Sequence, residues 1–301
     1  MTSSNDRNMR RVTFRRVTTL TSLAALAAAG TVTTAAGQGG SAGVADDGTL
    51  VIAQLQAEGE GQAIEGEGEG GEGTAASLEG DVAFLHDIGF MEGHIRAGLA
   101  LYRAGDRAAA VTHMGHPIKE KYDAVAERLE RLGEGHQRDL IVALAEAAEA
   151  GAEPSEIEAQ AEAVFGEFAE VRERFPAADR LAALVALTRT AAEEYAEALG
   201  EGRVSDLHEY QDAWGFLQAV AAEARALGES GSQAVHEAAE EILEQLGATE
   251  AAFGNLQGEG AFEADPSILY GAAARMELAA LALADDASAE GVRAEGEGEG
   301  D

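Results

Sequence analysis

Residues 117–132 read PIKEKYDAVAERLERL, and Ile118, Tyr122, Val125, Leu129 and Leu132 recur there in steps of four and three. Apolar residues so spaced line one face of an α-helix, so the stretch predicts an amphipathic helix with Pro117 at its first position. The same period extends in both directions. Upstream, 81–104 reads as a long apolar helix with Leu85, Ile88, Met91, Ile95 and Leu99 on one arc, and Gly105-Asp106 turns the chain into a short helix ending near Gly115. Downstream, a helix covers 137–150. The next opens with Pro154 and a Ser155-x-x-Glu158 capping box, carries Ile157, Ala161, Val164, Phe168 and Val171, and stops before Pro176. Further helices are predicted at 178–199 closed by Gly200, at 205–227 closed by Gly228, at 232–246, and from Asp265-Pro266 through Leu269, Ala273, Met276, Ala280 and Leu283. No run alternates with period two, and only 5% of residues are aromatic. The fold class expected is therefore all-α, an antiparallel helical bundle of about nine helices over residues 80–285.

The flanks differ in composition. Arg7, Arg10, Arg11, Arg15 and Arg16 precede the nearly uncharged stretch VTTLTSLAALAAAGTVTTAAG, which ends in small residues at Ala35, Ala36 and Gly37. That order of basic, apolar and small residues is the layout of a secretory signal over 1–37, and no cysteine follows it to carry a lipid anchor. Residues 38–79 include AEGEGQAIEGEGEGGEGTAASLE, and residues 286–301 end in AEGEGEGD. Alternating glutamate and glycine cannot bury apolar area to offset the entropy of ordering, so both acidic tails are expected to be disordered.

Charge and composition exclude several functions. The 301 residues carry 55 acidic and 21 basic side chains for a net charge of −34, and removing residues 1–37, with five arginines and Asp6, leaves −38. Nucleic-acid binding needs cationic side chains to displace counterions, so no nucleic-acid partner is expected. Without cysteine there are no disulfides, thiol catalysis or iron–sulfur clusters. No nucleophile with a base, phosphate loop or dinucleotide fingerprint appears, and no enzyme is expected. An exported, soluble protein without membrane insertion after signal removal follows from these features.

The candidate chemistry lies in the histidines. Four of the seven fall within 31 residues: His86, His94, His113 and His116. In HMGHPIKE, His113 stands three before His116 and Glu120 four after it, one face of a continuous helix, although a break at Pro117 would separate them. Glu120 and Asp123 also fit a solvated face opposite the apolar stripe. His94 sits on the flank of the first helix's apolar arc, and Gly93 and Gly98 leave room for another helix to approach. Glu92 shares a face with Arg96 and Arg103 and reads as a surface ion-pair partner, while His86 has no evident companion. A second constellation is HEYQDAWGFL, His208–Leu217. Leu207, Tyr210, Trp214, Leu217 and Ala221 mark its buried face, Glu209 and Asp212 sit at that face's edge, and His208 points further out. Carboxylates at a core boundary must be paired, hydrogen-bonded or ligated. His136 and His236 read as surface residues.

Imidazole and carboxylate together suit iron, zinc, copper or manganese rather than calcium. Two histidines supply only two donors, so a retained ion needs others from a facing helix. The site expected is thus His94, His113, His116, Glu120, Glu209 and Asp212 around one transition-metal ion, iron first and copper or zinc next. Its affinity should fall as pH drops through about 6.5, the ordinary histidine value.

Two resemblances bear on this. GLALYRAGDRAAA, Gly98–Ala110, resembles the helix-turn-helix of a tetratricopeptide repeat, but no second copy follows, so it reads as a helical hairpin. The exported helical architecture with Gly93-His94 and Gly115-His116 is similar to the imelysin-like periplasmic proteins of bacterial iron uptake, whose metal motif is glycine-x-histidine-x-x-glutamate. Here glycine directly precedes each histidine, and the glutamate is replaced by Ala97 or displaced to Glu120. The resemblance implies an accessory role in metal uptake or storage beside a membrane transporter or receptor. A metal-free helical module that holds a partner helix is the alternative.

Overall fold

The structure, a computed structural model, describes residues 78–296, with side chains to residue 282. The expected signal segment and nearly all of the Glu/Gly-rich linker lie outside the described residues. Among the described residues there are nine α-helices: α1 Gly80–Ala104, α2 Arg107–His116, α3 Tyr122–Leu132, α4 Gln137–Glu149, α5 Pro154–Arg172, α6 Ala177–Ala198, α7 Leu207–Ser230, α8 Gln233–Thr249 and α9 Ser267–Gly296. The all-α class follows directly from the three-and-four spacing of their apolar residues. The β-structure among them is one antiparallel ladder of two-residue strands, Leu199–Gly200 and Arg203–Val204, which turns the chain from α6 into α7.

The apolar side chains form two clusters. One unites α1 to α5 around Ile88, Met91, Ile95, Met114, Leu129, Ile141, Leu144 and Phe168. The other unites α6 to α9 around Leu187, Tyr195, Tyr210, Phe216, Val220, Ile242, Leu269 and Met276, and takes Phe90 from α1. Helix α1 is common to both halves because it has two glycine-smoothed faces. A methyl at Gly93 would lie 2.9 Å from the backbone Cα of Phe216 on α7, and one at Gly98 would lie 3.1 Å from the carbonyl oxygen of Ala110 on α2. Both neighbours therefore pack against α1 at backbone contact, as the glycines suggested.

Local details depart from sequence expectation in four places. Pro117 does not break the chain: α2 continues through a π-helical turn, Pro117–Lys121, into α3, with the Tyr122 N–H donating to the Pro117 carbonyl. Proline lacks an N–H to give back to the preceding turn, and the wider turn accommodates this without ending the helix. The capping box at Ser155 is not formed. Helix α5 starts at Pro154 with Glu153 in the cap position, no side chain caps it, and Glu158 instead pairs with Arg103 of α1 at 2.6 Å. Helix α7 runs through Gly228 to Ser230, where Gly231 ends it. Helix α9 runs to Gly296, past the expected end at 285 and into the stretch 286–301 that is expected to be disordered.

Candidate metal centre

Three structural devices bring the site together at the seam of the two apolar clusters. The first is the crossing of α1 and α7: a Cβ on Gly215 would lie 2.4 Å from the carbonyl oxygen of Gly93, so the helices touch backbone to backbone. His94 follows Gly93, and Asp212 sits almost one turn before Gly215, so this contact presses them together. The second is the cap of α7, where the Asp206 carboxylate accepts from the N–H groups of His208 and Glu209 and fixes the start of the helix. The third is the π turn after His116. Because the helix is not broken there, His116 and Glu120 stay within one turn of each other, with His116 Nδ1 2.9 Å from Glu120 Oε1.

The distances describe a continuous cluster. His94 Nδ1 lies 2.6 Å and His113 Nδ1 2.9 Å from Asp212 Oδ1, while His208 Nδ1 lies 3.3 Å from Asp212 Oδ2. His94 Nε2 lies 3.2 Å from Glu120 Oε2. The rings of His113 and His208 stack at 4.5 Å between centroids, and His116 lies 4.6 Å from His208. Two segments about 95 residues apart in sequence thus face each other at contact distance. Donor atoms of His94, His113 and Asp212 lie within 4.8 Å of one another, as do those of His94, His116 and Glu120, and those of His116, His208 and Asp212.

His113 shows how the donors are oriented. Gln211 Nε2 donates to the Leu256 carbonyl, which turns Gln211 Oε1 towards His113 Nε2 at 2.8 Å. His113 Nε2 must therefore carry a proton and donate it to Gln211. Its Nδ1 is left facing a carboxylate oxygen, an arrangement that needs either a second proton or a cation between them. A histidine whose far N–H is held by an amide or carboxylate oxygen is the common arrangement behind a metal ligand. Both ring nitrogens of His94, Nδ1 of His116 and Nε2 of His208 are buried without an aligned hydrogen bond. Polar atoms in that state are costly unless something satisfies them, and a cation coordinated by imidazole nitrogen and carboxylate oxygen fits this donor set.

The electrostatics reflect crowding of opposite charges. Burial pushes His94 down, but the Asp212 carboxylate and then Glu120 outweigh it and raise the imidazole to about 9. Burial pushes Glu120 up, and His116 and His94 beside it reverse this, holding it down to about 2. Burial likewise opposes ionisation of Asp212, yet the facing His94 and His113 keep its carboxyl well below the usual carboxylate range. Behind the cluster, burial and a hydrogen bond to Glu209 push Glu194 of α6 upward, so it keeps its proton.

Residues 170–282 match the family described as the iron permease-associated 4-helix bundle domain. No curated protein and no solved structure gives a match. The matched stretch comprises α6 to α9 within the described side chains, preceded by the end of α5. It includes His208, Gln211 and Asp212, whereas His94, His113, His116 and Glu120 come from the helices before it. The matched stretch therefore supplies one wall of the cluster, and α1, α2 and the π turn supply the other.

Five of the six expected residues meet: His94, His113, His116, Glu120 and Asp212. Glu209 stands behind them, with its nearer oxygen 3.9 Å from His208 Nδ1 and its side chain bonded to Glu194. Two further members were not expected. His208 was read as pointing outward, yet its side chain is only 33% exposed and its ring leans onto Asp212; Leu207, read as buried, is the residue that turns out, at 37%. Gln211 carries no charge and gave no signal. Glu92, read as a surface residue, is 1% exposed and is held by Arg172 of α5 at 2.5 Å as well as by Arg96. His86 has a companion after all, Thr190 Oγ1 at 2.9 Å. His136 is a surface residue as expected, 3.0 Å from Glu167.

Proposed function

We propose that this chain is an exported helical protein that binds a transition-metal ion, iron first and copper or zinc next, as an accessory of metal uptake or storage. The observation that carries this is the convergence of four histidines and two carboxylates from α1, α2, the π turn and α7, with buried ring nitrogens that lack aligned hydrogen bonds. Similarity of residues 170–282 to an iron permease-associated domain supports iron as the cargo and a membrane transporter as the partner. Among the described residues no helix is long and apolar enough to cross a membrane. The basic and apolar start of the chain supports export, and the mature protein should begin near residue 37 or 38.

His94, His113 and Asp212 are nearly fully buried, whereas Glu120 and His208 are each about one third exposed. The partly exposed pair forms the mouth and the buried trio the floor, so a cation exchanges its water for protein donors stepwise on the way in. A bound ion supplies the positive charge that protons otherwise provide between these donors. The proposal is a binder rather than an enzyme.

Calorimetric titration of the full chain with Fe²⁺ under nitrogen tests this. His113→Ala/His116→Ala should abolish stoichiometric binding while helicity is retained. Unchanged binding by the folded double variant would move the assignment to a metal-free interaction module.

A further inference from the structure

The donors of the cluster fall into separate triads rather than one shell. Asp212 belongs to two donor triads that share no histidine, one with His94 and His113 and the other with His116 and His208. Its two oxygens divide accordingly: Oδ1 faces His94 Nδ1 and His113 Nδ1, and Oδ2 faces His208 Nδ1. An ion on the first oxygen leaves the second oxygen and the second pair of histidines as another half-formed site. Glu120 lies against His116 Nδ1 and meets His94 only at Nε2, the nitrogen turned away from Asp212, so it stands with the outer ion rather than the inner one. Resting on the metal-binding reading above, the geometry points to a centre for two divalent transition-metal ions bridged by the Asp212 carboxylate, an inner ion on His94 and His113 and an outer ion on His116 and His208.

A carboxylate that bridges through its two oxygens holds two ions about 3.5–4 Å apart, the spacing of paired metal sites generally. The difference in exposure between the two histidine pairs predicts an order of filling. The outer ion, bound by the half-exposed His208, should be the weaker and the first to be lost to a chelator. For a protein that takes up or stores a metal, the outer position is then the place of exchange and the inner one the place of retention.

Equilibrium dialysis of the full chain against Co²⁺, with excess Mg²⁺ to occupy the Glu/Gly-rich carboxylates, should give two Co²⁺ per chain. Electron paramagnetic resonance at liquid-helium temperature should show the second equivalent changing the spectrum of the first and lowering the intensity per ion. His208→Ala, with retained helicity checked by circular dichroism, should bind one Co²⁺ per chain. One Co²⁺ on the unaltered chain, two whose spectra simply add, or two retained by His208→Ala would each overturn the bridged pair while leaving single-ion binding standing. No bound Co²⁺ at all would overturn the metal reading itself.

Discussion

Replacing Gly215 by alanine places a methyl carbon 2.4 Å from the Gly93 carbonyl oxygen and 2.9 Å from the Ala97 Cβ. Comfortable contact needs about 3.5 Å, so α1 and α7 must part by about 1 Å. The obstructing oxygen is backbone and cannot rotate aside, which puts the cost near the upper end of the usual range for overpacking, about 3 kcal/mol. Alanine's better helix propensity returns about 1 kcal/mol, leaving a net loss of about 2 kcal/mol. At about 2–4 °C per kcal/mol for a domain of this size, thermal unfolding followed by circular dichroism should shift down by about 4–8 °C. Gly166 in α5 is the control, since a methyl there has nothing within 4 Å. Gly166→Ala should raise the midpoint by about 2–4 °C, from propensity alone. The same parting draws Asp212 away from His94, so Gly215→Ala should also weaken metal binding by roughly tenfold. A Gly215→Ala variant that melts at or above the parent would refute the backbone crossing of α1 and α7.

Other expectations are open to direct measurement. Arg172 is buried against Glu92, so Arg172→Leu leaves that carboxylate with Arg96 alone, while Glu223 keeps Arg180, and should cost about 1–3 kcal/mol in denaturant unfolding; no measurable loss would mean that Arg96 suffices to hold Glu92. Because His94 holds its proton up to about 9 in the metal-free protein, an entering ion must displace it. Metal affinity should therefore keep rising up to about pH 9, by as much as tenfold per unit, instead of levelling off above about 6.5; a plateau from pH 7 onward would contradict this. For the metal-free protein the same raised value gives stability that is complete below about 6.5 and is lost as pH rises through about 9, so unfolding midpoints should fall over that interval. A flat profile there would remove the close pairing of His94 with Asp212.

The helices were legible because their signal is local: the stripe of Ile118, Tyr122, Val125, Leu129 and Leu132 needs no knowledge of what it packs against. The glycines at 93 and 98 likewise announced close approach, although not which helices would make it. Asp212 could be suspected because it is a carboxylate at the edge of an apolar face, and HMGHPIKE stood out by its histidine spacing. The pair of Glu92 with Arg96 is local and legible, but its burial is not, because the second partner, Arg172, arrives from a helix 80 residues away. Gln211 left no trace because its role depends on the Leu256 carbonyl turning its amide. His208 depended on the start and phase of α7, which the Asp206 cap sets. Position on a helix face was readable; the identity of a non-local partner was not.

Diffraction at the iron absorption edge from crystals grown with Fe²⁺ under nitrogen would test metal binding at its proposed place. An anomalous peak enclosed by His94 Nδ1, His113 Nδ1 and Asp212 Oδ1, about 2.0–2.2 Å from each, is the predicted result. Crystals of the iron-treated protein with no peak among these residues, and iron found only at surface carboxylates, would contradict it.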